Sequence, residues 1–455
     1  MSDTIAAIAT GSVLSAIGII RLSGDAAIEI ADRVFTPANG GKMSESANRM
    51  LTLGNLRDAG GSVIDHCLCT VSRAPNSYTG EHTAELQCHG SPTVLRLAME
   101  SLFAAGARQA LAGEFTKRAF LNGRLDLVGA EAVIDLIDSE TAAAARNAAA
   151  QLGGAISGKI EQISSSLIDI LAHYCAVLDY PDEDIEPFEL ASYEGTLSLA
   201  GDELTRLLST LERGRIMRDG APAAILGRPN VGKSSLLNAL LGFNRAIVTD
   251  TPGTTRDTIE EKCELGGILL RLIDTAGLRE TGNNIEAEGV DRARIASRSS
   301  AVILAVFDGS APLQKDDFET ISLAKASGKR IAVLNKSDLP PGLDPCELRP
   351  SFDYICNVSA QTGEGLDGLG EAMRELFPIP PSPDGEIITN ARQADAISRC
   401  LESIRAALEA MAALTMPDAV LTELEAALAA LGELTGKTVR EDVTERIFSR
   451  FCVGK

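Results

Sequence analysis

GRPNVGKS, Gly227 to Ser234, follows the apolar run Ala223, Ala224, Ile225, Leu226 and leads straight into SLLNALLG. A buried strand, then G-x-x-x-x-G-K-S, then a helix is the context that a phosphate-binding P-loop requires. The backbone must wrap closely round an anion, so glycines keep side chains out of the way and leave N–H groups pointing inward. Lys233 brings a point charge to the β and γ phosphates, and the Ser234 hydroxyl can enter the shell of a Mg²⁺ bridging them. The fold of the middle of the chain is decided here, as a P-loop α/β domain.

Four further stretches fix the nucleotide. IDTAG closes the apolar run Ile268 to Ile273 and sets Asp274, Thr275, Ala276 and Gly277 at a strand tip, where Asp274 can hold Mg²⁺ through water and Gly277 can offer its N–H to the γ phosphate. NKSD, Asn335, Lys336, Ser337 and Asp338, follows the apolar Ile331 to Leu334. The Asp338 carboxylate can accept two N–H donors that guanine presents and adenine does not, so a wrong base leaves a carboxylate unpaired. SAQTG, from Ser359 and Ala360 to Gly363, follows the strand-like YICNV and is expected on the other side of the base. TDTPGTTRD supplies Thr249, Asp250, Thr251, Pro252, Gly253, Thr254 and Thr255, a hydroxyl-rich loop that suits a switch ordered by Mg²⁺ and phosphate. With Asn230, Val231, Gly232 and Ser235 of the P-loop, these residues form the predicted GTP site.

The residue after DTAG, where a Ras-like protein carries the Gln that orients water, is Leu278. Water must then be positioned by another group. Arg256 and Arg279 lie near in sequence, but an arginine in a switch loop is more often a solvated surface charge than a finger.

At 455 residues the chain is too long for a single core, so several domains are expected. The 42 Lys and Arg against 63 Asp and Glu leave a net charge of −21, which argues against a broad nucleic-acid footprint and makes any RNA contact local or partner-delivered. Residues 1–118 mix β-type runs with a helix expected from Ser91 to Ala105, an α+β pattern. Residues 119–218 are helical by spacing, 219–378 form the GTPase domain, and 379–455 return to helix after the linker FPIPPSPDG. The simplest packing joins the two helical parts into one discontinuous all-α domain with the GTPase inserted. The whole is a multidomain α/β protein.

Nine cysteines without a repeating framework, and no apolar run near eighteen residues, are expected of a chain in a reducing cytoplasm with no membrane segment. HCLC at His66–Cys69 and CHG at Cys88–Gly90 raise a metal reading, yet alternation puts Cys67 and Cys69 on one face where a core explains them, and C-x-C is not the usual zinc spacing. The closing FCVGK does not suit a prenylation box. Cys452 is either a reactive thiol or, as cysteines commonly are, a small buried hydrophobe.

DTIAAIAT, GIIRLSG, PNSYTGE, GEFTKRAFLNGRLDL, the GRPNVGKS-to-NKSD domain and FCVGK together resemble the MnmE, or TrmE, family of tRNA modification GTPases over essentially the whole chain. The resemblance implies an N-terminal domain that forms a homodimer and binds 5-formyl-tetrahydrofolate or another tetrahydrofolate derivative. It also implies K⁺ activation of GTP hydrolysis, and a partner of MnmG type that carries FAD, in a heterotetramer or larger. Together they would add an aminomethyl or carboxymethylaminomethyl group at C5 of the wobble uridine of certain tRNAs. By the same resemblance Asn230, Thr249, Thr251 and Thr254 correspond to K⁺ ligands, and Ser234 and Thr255 to Mg²⁺ ligands. Glu286 corresponds to the residue orienting water, Arg21, Glu81, Arg124 and Lys455 to folate contacts, and Cys452 to the cysteine near the folate. One departure stands out: ATGSVLSAIGIIR replaces the family's ATPPGRGGIGIIR, so a Gly-rich approach to a ligand or partner is lost at VLSA. A rival reading is a GTP-dependent switch in ribosome assembly, which shares these motifs but usually adds a basic RNA-binding module. A folate-handling enzyme without GTP chemistry is weakest, since it leaves 227–363 unexplained.

Overall fold

The computed structural model describes residues 3–11, 13–179, 190–243, 261–273, 295–325, 328–380, 384–413, 417–438, 444, 447–449 and 451–454. These fall into two compact units. The first contains residues 1–134, 157–164 and 428–455, the second 135–156 and 165–427.

The first unit is built on β1 (Ile5–Ile8), β2 (Ile17–Ser23), β3 (Phe35–Pro37), β4 (Thr52–Arg57), β5 (Val63–Ser72), β6 (Thr83–His89) and β7 (Arg108–Gln109). They form one sheet in the order β3-β4-β5-β6-β2-β1-β7, antiparallel except for the parallel β1–β7 edge. Alternation decides what covers it. Ile20 and Leu22 on β2, Cys67, Cys69 and Val71 on β5, and Ala84 and Leu86 on β6 all turn to one face. They pack there with the apolar sides of helices Ala27–Val34 and Pro92–Ala104, the latter within one residue of its sequence expectation. The opposite face stays largely open, with Ile17 and Leu53 59% and 57% exposed.

Residues 451–454 return to this sheet's edge. Val453 bridges Ala112 in antiparallel fashion, and Gly113 N–H donates to the Cys452 carbonyl at 3.4 Å. Gly454 has φ 103°, and a Cβ there would overlap the Ile8 carbonyl, so only glycine fits.

In the second unit, β8 (Ala221–Leu226), β9 (Glu261–Leu265), β10 (Ile268–Leu272), β11 (Val302–Asp308), β12 (Arg330–Asn335) and β13 (Tyr354–Val358) form a six-stranded sheet ordered β13-β12-β11-β8-β10-β9. All neighbours are parallel except β9–β10. A parallel sheet must be covered on both faces, and β11 shows it. Val302, Leu304 and Val306 join one core with helices Lys233–Phe243 and Leu366–Leu376, while Ile303, Ala305 and Phe307 join the other.

The chain leaves this domain and returns to the helices that precede it. The Ile387 carbonyl accepts from Asn147 Nδ2 at 3.1 Å and Gln151 Nε2 at 2.7 Å, both amides being buried. Ile388 N–H donates to Thr210 Oγ1 at 2.9 Å, and helix Ala391–Ala412 packs Leu401 and Ile404 beside Gly201 of helix Leu190–Leu208. Segments on both sides of the G domain thus share one helical layer.

Candidate functional site

In a doubly wound sheet, ligands sit beyond the carboxyl ends of the strands where the strand order reverses. Here that point is β8, flanked by β10 and β11, and its C-terminal loop is GRPNVGKS. Lys233 opens the following helix, and its ammonium donates to the Gly227 and Arg228 carbonyls at 2.7 and 2.8 Å. Burial, then the nearby Arg228 guanidinium, pushes the Lys233 pKa down. A phosphate is the charge that would oppose both influences by favouring the ammonium.

The loops after β12 and β13 meet the P-loop through one side chain. Asn335, only 2% exposed, donates from Nδ2 to the Val231 carbonyl at 2.8 Å, and its Oδ1 accepts from Ala360 N–H at 2.9 Å. Phosphate loop and base loop are therefore held in one geometry. Gly232 sits at φ 98° because a Cβ would overlap that same Asn335 amide. Ser359 Oγ donates to Asp338 Oδ1 at 2.6 Å, which orients the carboxylate expected to meet guanine.

Two residues here hold left-handed backbones without being glycine: Asn230 at φ 64° and Lys336 at φ 67°. Such conformations cost on the order of 1–3 kcal/mol and persist where the surroundings over-determine them. For Lys336 the surroundings are visible. Its ammonium reaches Asp308 Oδ2 at 2.6 Å, and Asp308 also accepts from Ser310 N and Oγ. Burial works to raise the Asp308 pKa, but Lys336 and the Ser310 donors outweigh it and hold the carboxyl below its usual value.

Asp308 was not found by sequence reading. The signal was its place at the end of β11, in register with Asn335 on β12. Asp317 was missed as well. It is 2% exposed, caps helix Lys315–Ala324 and takes Arg228 of the P-loop at 3.2 Å.

Of the predicted GTP-site residues, Asn230 to Ser235, Asn335 to Asp338, Ser359 and Ala360 lie on these three loops, with Ser234 and Ser235 exposed. Thr249 to Thr255, Asp274 to Gly277 and Glu286 lie outside the described residues, as do Arg256, Leu278, Arg279 and Lys455.

The first unit gathers the other predicted set. Arg21 pairs with Glu85 at 2.8 Å and lies over the Tyr78 and Phe115 rings, 5.5 and 5.9 Å from their centres. Ser23, on the same face of β2, donates to Glu81 at 2.8 Å. Glu81 is also bound by Arg118 at 2.9 Å, and Arg118 by Glu114 at 3.0 Å. Arg108 completes the cluster through Glu114 at 2.5 Å and through Asp3. Arg124 is exposed and runs past Gly80, next to Glu81. Cys452 is exposed beside Gly113, so of its two readings the small buried hydrophobe is corrected: the segment makes a single bridge at the sheet's rim, with Phe451 and not the thiol turned inward. Arg118 was the residue missed here: it lies inside the quoted stretch GEFTKRAFLNGRLDL, but its role shows only once helix Glu114–Leu121 brings it to Glu81 and Asp3.

The chain matches the family profile described as MnmE helical domain over residues 127–452, and that described as GTP-binding protein TrmE N-terminus over 4–124. It is 43% identical to the tRNA modification GTPase MnmE of Roseiflexus sp. (strain RS-1), over 100% of this chain and 99% of that one. It is 44% identical to the tRNA modification GTPase MnmE of Symbiobacterium thermophilum, over the same shares. Among solved structures, the G domain of the T. maritima FeoB iron transporter is 26% identical over 34% of this chain and 98% of that chain, with a TM-score of 0.26. The chain belongs to the MnmE family.

Proposed function

We propose that this chain, a GTP hydrolase of the MnmE tRNA-modification family, is activated by K⁺ and acts with an FAD-carrying MnmG-type partner. Together they install an aminomethyl or carboxymethylaminomethyl group at C5 of the wobble uridine of certain tRNAs. The observation that carries the reading is the meeting of the P-loop with Asn335, Asp338 and Ser359 at the carboxyl ends of the strands, in a chain that aligns with its relatives from end to end.

In this reading Lys233 draws the β and γ phosphates, Asp338 accepts from guanine, and Ser234 with Thr255 holds Mg²⁺. Asn230, with oxygens of Thr249, Thr251 and Thr254, is the K⁺ set. Amide and hydroxyl oxygens are hard donors, which fit an alkali cation and not a thiophilic one. When bound, K⁺ supplies positive charge beside the developing negative charge of the transferred phosphoryl group, a need sharpened by Leu278 in place of Gln. Glu286 is assigned the orienting of water.

Arg21, Glu81, Arg124 and Lys455 are assigned to a tetrahydrofolate derivative. A cation beside two aromatic rings, with a carboxylate nearby, fits a flat heteroaromatic that also carries carboxylates. Cys452 stands at the rim of that cluster. The open sheet face with Ile17 and Leu53 supports a homodimer. The four-part division at 118, 218 and 378 belongs to the same proposal.

Hydrolysis measured in KCl and in NaCl at equal ionic strength tests the cation: equal rates remove K⁺ from the proposal. Nucleoside mass spectrometry of bulk tRNA tests the rest, with the intact chain, without it, and with Lys233→Ala. The C5-modified uridines should vanish in both altered strains, and their survival in both would send the function elsewhere.

A further inference from the structure

A cluster remote from any of these residues' assigned roles brings two thiols and a carboxylate together. β5 and β6 pair Leu68 with Gln87 and Cys69 with Leu86, so Cys67 and Cys88 face each other at the flanking rung. They are 4% and 2% exposed, and their thiols are hydrogen-bonded. Asp65 stands two residues before Cys67 on the same face, and one donor atom from each of the three lies within 4.8 Å of the others. Asp65 is itself held: His89 N–H donates to one carboxylate oxygen at 2.8 Å, and His89 Nδ1 lies 2.7 Å from the other. The His89 side chain is 72% exposed, which puts the cluster at the end of β6 beneath a ring in contact with solvent.

The pairing that matters is thus across strands. The Cys67 and Cys69 spacing along the chain says nothing about it. The bond to Cys67, burial and the Asp65 charge all push the Cys88 thiol up. A high thiol pKa suppresses the thiolate that disulfide exchange needs. A cation held by both sulfurs and the carboxylate would favour the thiolates, against the burial and the hydrogen bond that oppose them.

We propose that Asp65, Cys67 and Cys88 bind a thiophilic divalent cation of the Zn²⁺ class, with His89 positioning the Asp65 carboxylate. Binding forms two metal–sulfur bonds and releases the two thiol protons to solvent, with no change of oxidation state. Bonds of about 2.3 Å to sulfur and about 2.0 Å to oxygen set tetrahedral donors roughly 3.5 Å apart, so donors already within 4.8 Å need only a small closure.

The test uses the purified full-length chain, stripped with a chelator and titrated with Co²⁺ alone, then with Zn²⁺. Thiolate-to-cobalt charge-transfer absorption should saturate at one equivalent and be displaced by Zn²⁺. It should disappear in Cys88→Ala and Cys67→Ser, survive in Cys346→Ser at an exposed cysteine, and weaken in Asp65→Asn. His89→Ala should lose about ten-fold in affinity, the effect of removing an orienting partner. Thermal unfolding of the first unit serves as the fold control, since the cluster and the nucleotide loops lie in different units, and should Cys88→Ala fail it, Cys67→Ser and Asp65→Asn decide. No band, a band unchanged in these variants, or a Cys67–Cys88 disulfide in the freshly purified chain by mass spectrometry would overturn the proposal.

Discussion

The nucleotide loops and the ion-pair cluster of the first unit are both polar sites on sheet-based scaffolds, yet they are built in opposite ways. The nucleotide site uses short contiguous stretches whose backbone atoms do most of the holding: the Lys233 ammonium on two carbonyls, the Asn335 amide on one carbonyl and one N–H. The cluster of Asp3, Glu81, Arg108, Glu114 and Arg118 is side chain on side chain, drawn from positions up to 115 apart in sequence. The first kind of site is set by loop geometry and tolerates neighbours. The second depends on every member, since removing one leaves charge uncompensated.

Four experiments press on that contrast. The largest effect is expected at Asp338→Asn. Two charge-assisted bonds to guanine at about 1.5–3 kcal/mol each predict a loss of GDP affinity on the order of 10²–10⁴-fold, with xanthine nucleotides favoured instead. Calorimetric titration with GDP and XDP reads this directly, and unchanged selectivity would place base recognition elsewhere. Lys233→Ala comes next. Losing one preorganised positive group should slow single-turnover hydrolysis by about 10²–10³-fold, while thermal stability changes little because its partners are loop carbonyls.

Arg118→Ala should do the reverse: hydrolysis retained, and the first unit destabilised by about 3 kcal/mol, read by thermal unfolding. Its pH dependence sharpens the point. Burial works to raise the Glu114 pKa, but Arg108, the Leu111 N–H and Arg118 outweigh it, and Asp3 is lowered chiefly by Arg108. Folded values below the unfolded ones mean that this stabilisation is complete above the ordinary carboxylate range and is lost as pH falls through the folded values. Arg118→Ala should flatten that acid limb; an unaltered limb would show that the cluster does not act as a unit. The smallest effect concerns Lys233 itself. With its pKa pushed down, the ammonium is lost at a lower pH than in an ordinary lysine, so GDP affinity should begin to fall below the usual lysine range, by less than about ten-fold.

How much of this could be read in advance follows the same divide. The P-loop, NKSD and SAQTG were legible because their chemistry lies in consecutive residues, and the apolar runs before them became β8, β12 and β13. What could not be read depended on register and backbone conformation. Asp308 became visible only when β11 lay beside β12, and nothing in NVG or NKS announces left-handed backbones at Asn230 and Lys336. Strand alternation accounted correctly for Cys67 and Cys69 as core-facing residues, but alternation along one strand cannot show that Cys88 stands opposite on the next. At Cys452 the sequence left a reactive thiol and a buried hydrophobe both open, for a related reason. Composition favours burial of cysteine, whereas the bridge from Val453 to Ala112 decides which way the end of the chain turns.

The seating of Gly454 against Ile8 also sets an order of events. The first strand is made long before the segment that seats on it, with the whole GTPase domain translated between them. Closing a contact of that separation costs loop entropy that local contacts do not, so the rim of the N-terminal sheet is the slowest part of the chain to complete. The second unit has every residue it needs before then. A nascent chain can therefore present a finished nucleotide domain while the rim that carries Cys452 is still unmade.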